Sequence, residues 1–158
     1  MTIVVNVSDA RASNDPADVL ATYSLGSCIG VALYDAASRV GGLLHFQLPS
    51  STIDPNRAAQ SPLMFADTGM AHLLAQMEKL GAQKRRMKVK LCGGAQMLND
   101  NNLFNIGRRN HAAIRKVLWQ QGMLIDGEDV GGNSPRNMYL SLADGTVQVK
   151  TAGQTVTL

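Results

Sequence analysis

The chain has 158 residues, of which 45% are hydrophobic, 4% aromatic and 17% charged, with a formal net charge of +3. That length suits one domain, residues 1–158, with a real buried core. Few aromatics argue against a base-stacking nucleic-acid surface, the mild charge does not demand a polyanion, and two cysteines are too few for a disulfide framework or a four-thiolate metal site.

The opening MTIVVNVSDARASNDP lacks the basic flank and long apolar core of a signal peptide, and no run reaches membrane-spanning length. A cytoplasmic protein with reduced thiols is the expectation. Residues 2–7 alternate weakly and read as a first strand, 8–18 as an exposed polar loop, and 19–25 as a second strand. Gly26 then permits a sharp bend before Ser27 and Cys28, and amide N–H groups exposed at such a bend can bind an oxyanion.

Two apolar strands follow, 29–34 and 40–46, around a turn-like segment. A hairpin centred between Ala36 and Ala37 sets Cys28 opposite His45, on one face of the ribbon; a shift of the pairing by two leaves them diagonal neighbours on that face. Gly30 and Ala32 share the Cys28 face, leaving room beside the sulfur.

Beyond the ribbon, 50–60 reads as a polar loop able to border this site. Residues 62–80 read as a helix with an inward stripe of Ala66, Met70, Leu73, Leu74, Met77 and Leu80, capped by Ser61 and Pro62 and ended by Gly81. Gly69 weakens that helix by about 1 kcal/mol relative to alanine, and His72 falls beside the stripe, at the surface. The basic run QKRRMKVK, 83–90, reads as a solvated turn entering a strand rather than a docking patch or nucleic-acid site. In that strand Val89 and Leu91 face one way and Lys88, Lys90 and Cys92 the other, with Cys92 a small buried residue. Gly93-Gly94 lacks the Gly-Lys-Ser/Thr ending of a phosphate loop. An Asn-rich loop, 99–105, leads to a second amphipathic helix, 108–121, with Ala113, Ile114, Val117 and Leu118 inward and His111 exposed. A strand over 123–130, a glycine-rich turn, and strands 137–142 and 146–151 flanking Asp144-Gly145 complete a mixed α/β chain.

A thiol beside an imidazole is the minimum set for nucleophilic catalysis. The imidazole needs a third group to fix its tautomer, and Asp35, Asp54 and Thr22 are all available on sequence alone.

The motif Thr22-x-x-Leu25-Gly26-Ser27-Cys28, the Tyr34-Asp35 pair, Gly41-Gly42 and His45-Phe46-x-Leu48-Pro49 resemble the CheD family of chemoreceptor glutamine deamidases. The likeness continues through Ala66-Asp67, Leu80-Gly81-Ala82, Gly93-Gly94-Ala95, Ile106-Gly107 with Asn110, Asp129-x-Gly131-Gly132 and Arg136. It implies Cys28 as nucleophile, His45 as general base and acid, Thr22 as third member, and the backbone of Gly26 and Ser27 at the oxyanion. It also implies an α/β/β sandwich of α+β type, with mixed sheets and two main helices, similar to the catalytic domains of cytotoxic necrotizing factor toxins. No metal or organic cofactor is implied. The expected partners are methyl-accepting chemotaxis receptors, as substrate, and a CheC-type phosphatase; a non-catalytic docking module is the alternative, and nucleic acid and membrane insertion are not expected. Pro135 and Gly69 depart from the family pattern at positions expected to bear on docking surfaces.

Overall fold

The computed structural model describes residues 1–97 and 105–158. Within these residues ten strands form two five-stranded sheets. The first is ordered β1 (Thr2–Val4), β3 (Val19–Leu25), β8 (Arg136–Ser141), β9 (Val147–Thr151) and β10 (Gln154–Thr157); the second β2 (Asp9–Ser13), β5 (Val40–Phe46), β4 (Ile29–Asp35), β6 (Lys88–Gly93) and β7 (Gly127–Val130). Both are mixed: β1–β3 and β6–β7 are parallel pairs among antiparallel ones. Three α-helices among the described residues join them, α1 (Pro55–Gln60), α2 (Ala66–Lys79) and α3 (Ile106–Gln120).

Burial assigns the layers. Ile29, Val31, Leu33, Leu44 and Phe46 of the second sheet form one core with Met70, Leu73 and Met77 of α2 and Ile114 and Leu118 of α3. Ala32 and Leu43 of the same sheet form another core with Leu20, Leu25, Met138, Leu140 and Val149 of the first. The second sheet is therefore the middle layer of an α/β/β sandwich, and β4 and β5 are buried at every residue. Strands covered on both faces read as continuous apolar runs, which is why this ribbon dominates the sequence.

Several boundaries differ from the sequence reading. Residues 9–13 form an edge strand on β5 rather than a loop; its residues, Asp-Ala-Arg-Ala-Ser, carry no large apolar side chain to announce it. The 50–60 loop contains a 3-10 turn, Ser51–Ile53, and α1. The helix placed at 62–80 begins only at Ala66, because Pro62–Met64 is a separate 3-10 turn, and Leu80 is 38% exposed rather than part of the stripe. Gly69 is buried, and a Cβ there would lie 3.1 Å from both methyls of Leu44, so it sets the approach of α2 to the sheet and is not a surface feature. The strand over 123–130 is confined to Gly127–Val130, and a further strand, β10, follows the last one that the sequence predicts. Of the Asn-rich loop, 99–104 lies outside the described residues.

The hairpin register also differs. A two-residue Ala36-Ala37 loop would need positive φ at one or both positions, which alanine disfavours. The chain instead pairs Asp35 with Val40 around a four-residue turn, in which Asp35 accepts from the Ala37 N–H at 3.1 Å and Arg39 takes the left-handed conformation, φ 58°. His45 therefore stands opposite Gly30, not Cys28.

Candidate active site

Cys28 closes the bend before β4, two residues from Gly30, and packs half-buried at the rim of the core between the sheets. The two-residue shift leaves it diagonal to His45, and the same core holds Leu43, which shares the His45 face. A Cβ on Gly30 would lie 3.6 Å from the Thr22 methyl and 2.8 Å from the Met138 sulfur, so this face of β4 looks onto the first sheet at Thr22.

Thr22 and His45 meet there. Thr22 Oγ1 lies 2.7 Å from His45 Nδ1 and donates its only hydrogen to the Val5 carbonyl at 2.7 Å. A hydroxyl whose proton is committed to a carbonyl can only accept from the ring, so Nδ1 carries the hydrogen and Nε2 holds the lone pair. Thr22 is fully buried and His45 is 1% exposed, and Nε2 has no hydrogen-bond partner among the described residues. Burial pushes the imidazole down to about 4, so it is neutral at physiological pH.

The other candidates for the third group lie elsewhere. Asp35 is five residues along β4 from Gly30, roughly 17 Å away at strand rise. Burial works to raise its carboxyl, but Arg86, with Nη2 at 2.9 Å, and the Gln83 N–H, also at 2.9 Å, hold it at about 2. Asp54 caps α1 by accepting from the Arg57 N–H at 3.0 Å. Arg86, one of the run 83–90, is thus a structural partner of Asp35.

The Cys28 bend is held from several sides. Between Thr22 and Leu25 the β3–β8 pairing slips, Ser24 adopts φ 58°, and its N–H donates to Asn137 Oδ1 at 2.9 Å. This bulge redirects the chain into Gly26. The Gly26 carbonyl accepts from the Ala95 N–H at 2.8 Å, the Ser27 carbonyl from Asn110 Nδ2 at 2.9 Å, and the Cys28 carbonyl from the Gly94 N–H at 2.9 Å. Gly93 has φ 113°, and a Cβ on it would meet the Cys28 carbonyl oxygen at 2.2 Å; only glycine fits. Asn110, fully buried on α3, also donates to the Gln47 carbonyl at 2.8 Å and so ties the bend to the end of β5. The signal for Asn110 is its place on the α3 stripe, four residues before Ile114, where a polar residue must have buried work.

The second thiol, Cys92, is fully buried, and burial pushes it up to about 12. His72 is exposed, whereas His111 is not free in solvent, its Nε2 lying 2.8 Å from Glu128 Oε1.

The arrangement is that of an α/β/β sandwich with a half-buried thiol and a buried, oriented imidazole on one inter-sheet face. Residues 47–151 match the family described as CheD chemotactic sensory transduction. The chain is 48% identical over 151 residues to a probable chemoreceptor glutamine deamidase, CheD 1, of Syntrophus aciditrophicus (strain SB), covering 96% of this chain and 94% of that one. It is 45% identical over 152 residues to a probable chemoreceptor glutamine deamidase CheD of Solibacter usitatus (strain Ellin6076), covering 96% and 90%. A crystal structure of Neisseria meningitidis protein NMB0706 aligns with 84% of this chain and 62% of its own at a TM-score of 0.49 and 12% identity. This chain belongs to the CheD family. No helix among the described residues is long and apolar enough to cross a membrane.

Proposed function

We propose that this chain is a chemoreceptor glutamine deamidase in which Cys28, His45 and Thr22 carry the chemistry. The observation that supports it most is the orientation of His45, whose Nδ1–H is taken up by Thr22 while Nε2 keeps its lone pair, with no hydrogen-bond partner among the described residues. A neutral imidazole is the form a general base requires.

In the first step the Cys28 sulfur attacks the side-chain carbonyl carbon of a receptor glutamine as its proton passes to His45 Nε2. In a trans peptide the C=O of one residue and the N–H of the next point in opposite directions. The chain contains no cis peptide among its described residues, so with the Gly26 and Ser27 carbonyls drawn toward Ala95 and Asn110, the Ser27 and Cys28 N–H groups point the other way. These donors receive the tetrahedral oxyanion. The intermediate collapses with cleavage of the C–N bond, and the imidazolium gives its proton to the departing ammonia, leaving a thioester. Water then attacks the thioester carbonyl, losing a proton to Nε2; the C–S bond breaks, glutamate leaves, and the sulfur is reprotonated.

Incubation with a glutamine-bearing receptor fragment, reading ammonia and the Gln-to-Glu mass change, tests this. Wild-type protein releases ammonia and Cys28→Ala releases none. If Cys28→Ala keeps both the deamidation and the cellular effect, the thiol mechanism is wrong; if it keeps the cellular effect alone, docking on receptors or on a CheC-type phosphatase replaces catalysis as the function.

A further inference from the structure

The exposed face of α3 carries a charge pattern that its own stability does not explain. The helix contains Arg108, Arg109, Arg115 and Lys116 and no Asp or Glu. Arg108 and Arg109 stand in its first turn, where the helix dipole disfavours cations, and its last turn has no basic residue to gain from the opposite end. All four side chains are exposed, and none is in an ion pair among the described residues, although Arg11, Arg86, Lys88 and Arg136 elsewhere are. A departure from local rules without a structural return points to a use outside the fold.

Two further observations place that use. A groove of about 520 Å³ runs between residues 49–53 and α3, its apolar floor including Ile53, Ala113 and Val117 and its α3 side carrying Arg109 and Lys116. Its one carboxylate, Asp67, already accepts from the Ser51 N–H at 3.0 Å. One turn from Lys116 stands Trp119, the chain's only tryptophan, 81% exposed. An amphipathic helix with acidic flanks matches an apolar floor with basic walls.

We propose that this face of α3 docks an acidic amphipathic helix of the protein substrate and so presents its glutamine to Cys28. Asn110, buried on the same helix, bonds the Ser27 and Gln47 carbonyls, and Gln47 lies two residues before Pro49 of the groove, which ties the helix bearing the docking surface to the nucleophile bend. The inference rests on the deamidase reading for the identity of the partner, but its binding arm does not need turnover.

The binding arm uses Cys28→Ala protein, whose Trp119 emission is followed while a glutamine-bearing receptor fragment is added. Emission shifts to the blue and saturates, and the affinity falls as salt is raised from 50 to 200 mM, roughly tenfold for a contact of a few charge pairs. Arg115→Glu with Lys116→Glu weakens binding at least tenfold, and Arg115→Ala with Lys116→Ala, which keeps helix propensity, weakens it less; circular dichroism checks both for folding. In the activity arm, with Cys28 intact, the charge-reversed protein shows KM for the fragment raised at least tenfold with kcat unchanged, and an unaltered rate on a short glutamine peptide that cannot span the groove. Equal affinity for the reversed and original proteins overturns the proposal. So does tighter binding of duplex RNA or DNA than of the fragment at the same salt, which would make α3 a nucleic-acid surface. Fragment binding without any ammonia release would leave docking standing and remove the deamidase reading.

Discussion

At the residue scale, Thr22 makes with His45 Nδ1 the contact that an aspartate makes in better-known triads, but without charge. An aspartate at this fully buried position would itself have to be desolvated, and the resulting ion pair would favour imidazolium over the free base. A hydroxyl committed to the Val5 carbonyl fixes the tautomer and leaves the ring neutral. Thr22→Val should therefore lower kcat on the receptor fragment by on the order of 100-fold, with KM little changed, whereas Thr22→Ser retains most of it. Wild-type kcat in Thr22→Val would show that the tautomer is not set there. Sequence reasoning names Thr22 beside Asp35 and Asp54, and only family likeness chooses among them, because the contact joins two sheets whose packing no local pattern encodes. The Cys28–His45 relation was closer to legible: both belong to one ribbon, and only the turn length was misjudged.

At the scale of elements, the bend bearing Cys28 owes its shape to neighbours distant in sequence: the β3 bulge, the Gly93–Ala95 segment and α3. Glycines at 26, 93 and 94 can be seen in the sequence, but not that a carbonyl of residue 28 would press on position 93. α3 is anchored there by Asn110, whose amide spans Ser27 and Gln47. Asn110→Ala removes both donors and should cost about 1–3 kcal/mol of stability. More tellingly, it should lower kcat while leaving the Trp119-detected affinity for the fragment intact. An unchanged kcat would mean that β3 and the Gly93–Ala95 segment hold the bend unaided. The apolar stripes of α2 and α3 and the central strands of the middle layer, β4, β5 and β6, are readable because burial imposes a pattern on large side chains. The edge strands β2 and β10 are not, since β2 offers the core only small side chains such as Ala10 and β10 is exposed throughout.

At the scale of the whole molecule, two buried groups make the fold sensitive to acid in separate pH windows. His45 ionises near 6.5 when unfolded and near 4 when folded, so between those values the unfolded chain binds more protons and stability falls as pH is lowered, by about 3 kcal/mol in all. Asp35 has a folded value near 2 against an ordinary 3.8; its contribution, about 2 kcal/mol, is complete above pH 4 and is lost as pH falls through 2. Urea unfolding followed from pH 7 to pH 4 should show a falling midpoint in wild type and a much flatter one in His45→Gln. Asp35→Asn should keep the wild-type slope in that range while starting from a lower midpoint, since Arg86 loses its carboxylate. Equal slopes for wild type and His45→Gln would contradict the assignment of the upper window.

Thr22 belongs to one sheet, while His45 and the strand that Cys28 introduces belong to the other. A chain still emerging from the ribosome, or one opened along the seam, thus carries an ordinary thiol and an ordinary imidazole with nothing to aim them. On the proposed chemistry, competence arrives only when the two halves close, so a damaged copy falls silent instead of attacking amides at random.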